Sequence, residues 1–152
     1  MTRRSVLIKA PAESIYRLVA DPMRMAEWSP ECARCRWTGR IHAAQVGARF
    51  RGTSRNGRRR WTTTSTVVEM RPNEVFAWQV SYFRRPVARW EYRLQAAPDG
   101  IELVESVEDR RGPVLRAVSP LITGSPDRDE RNAETMATTL LAVKAAAEGT
   151  SG

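Results

Sequence analysis

The sequence has one histidine, two cysteines, only Lys9 and Lys144 as lysines, and no long apolar run, and each shortage closes a class of function. With His42 as the sole imidazole, no His-carboxylate pair, nucleophile elbow or metal cluster stands out. Cys32 and Cys35 form a single C-x-x-C with His42 seven residues further on. A structural zinc site needs four ligands, usually from two such pairs, and a thioredoxin-type pair opens a helix after a strand rather than preceding a strand. No metal and no cofactor are therefore expected, and the two thiols read as reduced cysteines in a loop or pocket wall. Nothing approaches the ~20 apolar residues of a membrane-spanning helix. The stretch Val6-Leu7-Ile8 behind Arg3-Arg4 is too short for a signal-peptide core, so the expected location is the cytoplasm.

What is present suits a globular chain. Of 152 residues, 41% are hydrophobic and 28% charged, enough for one core, and residues 1–152 are expected to form a single domain. The net charge is +8, carried almost entirely by arginine, which attracts anions. The densest runs, Arg58-Arg59-Arg60, Arg84-Arg85 and Arg110-Arg111, fall at expected turns with no recognition helix, zinc finger or RNA-binding signature beside them. Nucleic acid is not the expected partner. Weak association with an acidic membrane stays open, as does a monomer or a homodimer.

The order of elements follows from periodicity and breakers. Ser5 to Ala10 reads as a strand stopped by Pro11, which instead opens a helix with Ile15, Leu18 and Val19 on one face. A second short helix spans Met23 to Trp28, between Pro22 and Ser29-Pro30. Six strands follow, at 34–38, 48–54, 60–70, 74–82, 87–95 and 101–109, with Asn56-Gly57 and Asp99-Gly100 as hairpin turns and looser connections at 71–73 and 84–86. Residues 110–124 read as an irregular or short helical crossover. Ser125 then caps a helix with Pro126 in its first turn that runs to Glu148, and Ala133, Met136, Ala137, Leu140, Leu141 and Lys144 form its inward stripe.

Alternation assigns faces. Phe76, Trp78 and Val80 share one side, and Trp90, Tyr92 and Leu94 another, while Ala77, Gln79, Ser81, Arg89, Glu91, Arg93 and Gln95 point the other way. Between Trp61 and Val68 both faces hold hydroxyls and periodicity decides nothing. Ile101, Leu103, Glu105 and Val107 share a face; if it is the inner one, Glu105 becomes a carboxylate among aromatics, with its pKa pushed up or an arginine beside it. A rim position for Glu105, paired with an arginine or with Ser65, is the plainer expectation.

Strand, two helices, six-stranded meander and long last helix make an order that resembles the START-like, or SRPBCC, superfamily, and in particular its bacterial polyketide cyclase/dehydrase-type branch. The similarity is carried by Ala10-Pro11-Ala12-Glu13-Ser14-Ile15-Tyr16, by Ala20-Asp21-Pro22 and Glu27-Trp28-Ser29-Pro30-Glu31, by Gly47-Ala48-Arg49-Phe50-Arg51-Gly52, and by Phe76-Ala77-Trp78 and Trp90-Glu91-Tyr92. It implies an α+β helix-grip fold, a curved antiparallel sheet of about seven strands around the C-terminal helix, with a cavity between them for a hydrophobic small molecule. The implied lining is Trp28, Trp37, Phe50, Trp61, Ser65, Phe76, Trp78, Trp90, Tyr92, Met136 and Leu140. Binding of a lipid, aromatic or polyketide-like molecule is the leading expectation. A polyketide cyclase or dehydratase using Glu105, Tyr92 or Ser65 is the alternative, and a regulatory or toxin-like partner protein a third.

Overall fold

The structure, a computed structural model, describes residues 1–125 and 127–150. Seven antiparallel strands form one sheet in the order β1-β7-β6-β5-β4-β3-β2: β1 (Thr2–Ile8), β2 (Cys32–Thr38), β3 (Arg49–Asn56), β4 (Arg59–Arg71), β5 (Val75–Tyr82), β6 (Arg85–Ala97) and β7 (Gly100–Asp109). Between β1 and β2 lie α1 (Ala12–Val19), a 3-10 turn (Pro22–Arg24) and α2 (Met25–Trp28); after β7 come α3 (Pro113–Thr123) and α4 (Arg128–Thr150). This is the expected α+β helix-grip architecture.

Boundaries shift where pairing overrides local pattern. The first strand, expected at 5–10, begins at Thr2 because Thr2 to Ile8 ladder onto Val107 to Ile101 of β7. It stops at Ile8 because the amide of Lys9 donates to Glu148 of α4 instead of to a strand, at 2.9 Å. Strand β2 reaches back to Cys32, so the C-x-x-C lies within a strand and not ahead of one. The crossover at 110–124 is a helix of 11 residues, opened by Pro113 and ended by Gly124 at φ 73°. Of the last helix, Pro126 lies outside the described residues. The expected cap, Ser125, instead accepts a hydrogen bond from Asn56 Nδ2 at 2.8 Å, and Asp127 receives the amide of Glu130 at 3.1 Å.

The main core joins Ile8, Ile15, Val19, Phe50, Phe76, Leu94 and Leu103 to Leu140, Val143 and Ala147 of α4. The buried stripe of α4 therefore runs Met136, Leu140, Val143, Ala147. Of the expected stripe, Ala137 faces solvent and Leu141 is 62% exposed, since each sits one position past a buried residue and has rotated off the sheet side. Met136 packs separately, with Ala88 and Val107. The outer face of the sheet carries an ion-pair ladder, with Arg89 bridging Glu69 and Glu91 at 3.0 Å each and Arg93 reaching Glu91 at 3.2 Å. On β4 a bulge between Val67 and Glu69 lets Val67 oppose Trp78 while Met70 opposes Phe76, which keeps both inside.

Candidate functional site

The C-terminal half of α4 rests on the core, whereas Arg128, Asn132 and Thr135 near its start face a cleft of about 170 Å³ over β3 to β7. The cleft exists because the side chains opposite are either flat rings or small. Trp78 and Trp90, directly paired across β5 and β6, stack with centroids 6.3 Å apart and planes 8° from parallel. Tyr92 stands 5.6 Å from Trp78. Gly52, Ser54, Thr63 and Ser65 of β3 and β4 supply no bulk to fill the remaining space. A second hollow of about 90 Å³ adjoins it and shares Trp61, Trp90, Arg128 and Asn132.

Of the lining expected from the sequence, Phe50, Trp61, Ser65, Trp78, Trp90 and Tyr92 border the cleft. The other five do not. Phe76, Met136 and Leu140 are filled core, the latter two because α4 meets the sheet closely from Met136 onward. Trp28 is packed into the core beneath α2 with Arg24 over its ring at 5.1 Å, rather than at a mouth. Trp37 meets Phe50 edge-on at 6.0 Å and faces a shallow surface groove with Tyr16 and Met70. On β4 the undecided face is now resolved: Trp61, Thr63, Ser65 and Val67 point inward.

Glu105 lies at the bottom of the cleft and is only 4% exposed. The plainer expectation of a rim carboxylate held by an arginine or by Ser65 is corrected by this position. Its cross-strand partners are Tyr92 on β6 and Arg4 on β1, and the Arg4 guanidinium donates to the carbonyl of Arg3. Loss of hydration raises the Glu105 pKa from 4.5 to about 8, and the Tyr92 hydroxyl beside it lowers it only in part. The side chain is thus a neutral acid at pH 7, and among the described residues its Oε1 has no hydrogen-bond partner. Burial, and then the nearby Glu105, raise the pKa of Tyr92 well above 10.0, so the phenol keeps its proton. Two protonated oxygen groups therefore face an aromatic space. Ser65, buried on β4 two strands from Tyr92, adds a third hydroxyl to the same wall.

One side of the opening is closed by an ion cluster that no sequence pattern announced. Glu31 accepts from Arg128 at 2.6 and 3.1 Å and from Arg131 at 3.2 Å, tying the start of β2 to α4 across 97 and 100 residues of chain. Arg128 also lies over Trp61, 5.8 Å from its ring centre. Such a pair is invisible in sequence because nothing local links its members. Along the same edge Cys32 and Cys35 line the cleft with Sγ atoms 3.6 Å apart, and Met25 of α2 stands beside them.

No helix among the described residues is long and apolar enough to cross a membrane. Comparison with curated proteins gives no match. Among solved structures, the chain is similar to the di-domain ARO/CYC StfQ from the steffimycin biosynthetic pathway (TM-score 0.74, 15% identity), covering 99% of this chain but 51% of that one, about half its length. It is similar also to the Polyketide_cyc-like protein Cgl2372 from Corynebacterium glutamicum, at 30% identity over 93% of this chain and 87% of the other, with a TM-score of 0.58. The Aha1 dimer from Colwellia psychrerythraea shares the fold at 18% identity and a TM-score of 0.64, covering 99% and 98% of the two chains. The family described as polyketide cyclase / dehydrase and lipid transport matches residues 2–148, and the chain, START-like in fold, belongs to it.

Proposed function

We propose that this protein binds a one- or two-ring aromatic or polyketide-like molecule in the cleft, with a carbonyl or hydroxyl oxygen of the ligand on Glu105. Family membership supports a role in binding a hydrophobic ligand or in cyclisation. The observation that carries the finer reading is the unpartnered Oε1 of a buried, neutral Glu105 at the bottom of an aromatic wall. An unmade hydrogen bond in such a place costs about 1–3 kcal/mol, which a ligand oxygen recovers. The cleft volume is near that of a cavity known to hold a benzene-sized guest, about 150 Å³.

Burying about 150–250 Å² of ligand at about 25 cal/mol/Å² contributes about 4–6 kcal/mol before association entropy is subtracted. With one good hydrogen bond the expected affinity lies between about 10 µM and 1 mM. Calorimetric titration with 2-naphthol and with naphthalene tests this. The phenol should bind more tightly to the wild type, and Glu105→Leu should remove its advantage; equal binding of both compounds to both proteins would refute the assignment of Glu105.

A second reading rests on the same pair. An acid with a pKa of about 8 beside a phenol can give and take a proton near neutral pH, as a cyclase or dehydratase requires. Under it, Glu105→Gln and Tyr92→Phe lower turnover of a poly-β-ketone mimic with the fold intact, and unchanged turnover in both removes the pair as catalysts. A regulatory partner role has no site feature in its favour.

A further inference from the structure

The sulfur edge of the cleft has no part in the ligand chemistry above. In a regular strand, residues three apart point to opposite faces, so Cys32 and Cys35 would not meet. Strand β2 carries a bulge between them: Cys32 opposes Ser54 and Arg34 opposes Thr53, which leaves Ala33 as the extra residue. The bulge turns both thiols to the cleft side, with Sγ atoms 3.6 Å apart. Bulges commonly re-aim side chains next to functional sites. From outside the sheet, α2 brings Met25 Sδ to 3.9 Å from Cys35 Sγ. All three residues line the cleft, which gives an entry path.

A metal bonded to three sulfurs in a plane, at about 2.3 Å each, holds them about 4 Å from one another. The two contacts at Cys35 are already close to that separation, and the unbranched Met25 side chain can adjust to complete the set. The donors are all soft. Zinc prefers four ligands drawn from thiolate, imidazole and carboxylate, and no cluster of three or more His, Cys, Asp and Glu stands together among the described residues. Two thiolates and a thioether suit monovalent copper. Sequence counting missed the third donor because it considered only cysteine and histidine. We propose that Cys32, Cys35 and Met25 form a site for one copper(I) ion in the wall of the cleft.

On binding, each cysteine coordinates as a thiolate, and any proton it carries passes to solvent.

The test is independent of the organic ligand. Fully reduced protein, kept anaerobic, is titrated with copper(I) against bathocuproine disulfonate, and the bound ion is examined by X-ray absorption. The expected result is one ion per chain with three sulfur neighbours. Cys32→Ser and Cys35→Ser lose the ion to the competitor, and Met25→Leu retains it more weakly with two sulfurs. Blocking both thiols of the folded wild type with methyl methanethiosulfonate gives the same loss without a substitution. Surrender of copper by the wild type as complete as by the blocked protein would overturn the site, as would nitrogen or oxygen neighbours in place of sulfur, or a Met25→Leu protein identical to wild type.

Discussion

Replacing Glu105 by glutamine should flatten the pH dependence of stability between pH 5 and 8. The unfolded chain ionises this carboxyl near its ordinary 4.5 and the folded protein near 8. Between those values the native state keeps a proton that the unfolded chain has released, so the native state binds more protons and stability falls as pH rises. The stabilisation is complete below pH 4.5 and gone above pH 8. Two pH units inside that window correspond to about 2.7 kcal/mol, a large share of the 5–15 kcal/mol typical of a domain. Guanidinium unfolding at pH 5.5 and 7.5 measures it directly. The wild type is expected to lose about 2–3 kcal/mol from the lower to the higher pH, and the glutamine variant less than about 0.5 kcal/mol. Comparing the two proteins subtracts other groups. Asp109, for example, is held below 3.8 chiefly by its hydrogen bond from Arg111 and acts with the opposite sign at lower pH. Parallel slopes for the two proteins would refute a neutral Glu105 and, with it, the hydrogen-bond donor at the bottom of the cleft.

Other substitutions test the scaffold. Gly100→Ala builds a Cβ 2.5 Å from the carbonyl oxygen of Ile8, where φ is 155°; a loss of about 2–4 kcal/mol is expected in guanidinium unfolding, and a neutral change would refute the close approach of β1 and β7. The β5–β6 turn places Phe83 and Arg84 at φ 47° and 64°. Phe83→Asn with Arg84→Gly should therefore raise stability by about 1 kcal/mol, read as a higher thermal midpoint; a fall would contradict strain at that turn. Glu31→Gln leaves Arg128, whose side chain is 14% exposed, without its charged partner. Destabilisation of about 2–4 kcal/mol is expected, and a change under about 0.5 kcal/mol would mean the cluster is not formed in solution.

The fold was legible because its signals are local. Alternation at Phe76-Trp78-Val80 and Trp90-Tyr92-Leu94, Gly57 and Gly100 at turns, and Pro11 at a helix start each act within a few residues. The site was only partly legible because its shape is not local. Trp78, Trp90 and Tyr92 were found by their face, but alternation cannot tell a ring that borders a cleft from one that fills a core, which is why Phe76, Met136 and Leu140 were placed wrongly. The approach of α4 decides that difference, and it depends on Leu140, Val143 and Ala147 seating against β1 and α1 while Arg128 is held off by Glu31. Bulges defeat period-two reading outright, as at Cys32-Ala33-Arg34 and at Val68. The buried Glu105 was visible as a conflict between type and face, and such conflicts point to function more often than agreement does.

The proposed ligand, an oxygen-bearing aromatic, occupies the space between Trp78, Trp90 and Tyr92 with its polar end on Glu105. Intermolecular nuclear Overhauser effects between 2-naphthol and the protein test it most directly. Contacts are expected from the ligand ring protons to the Trp78, Trp90 and Tyr92 rings, with the hydroxyl-bearing edge nearest the Glu105 methylenes; contacts confined to the surface groove at Trp37, or to none of these residues, would rule that placement out.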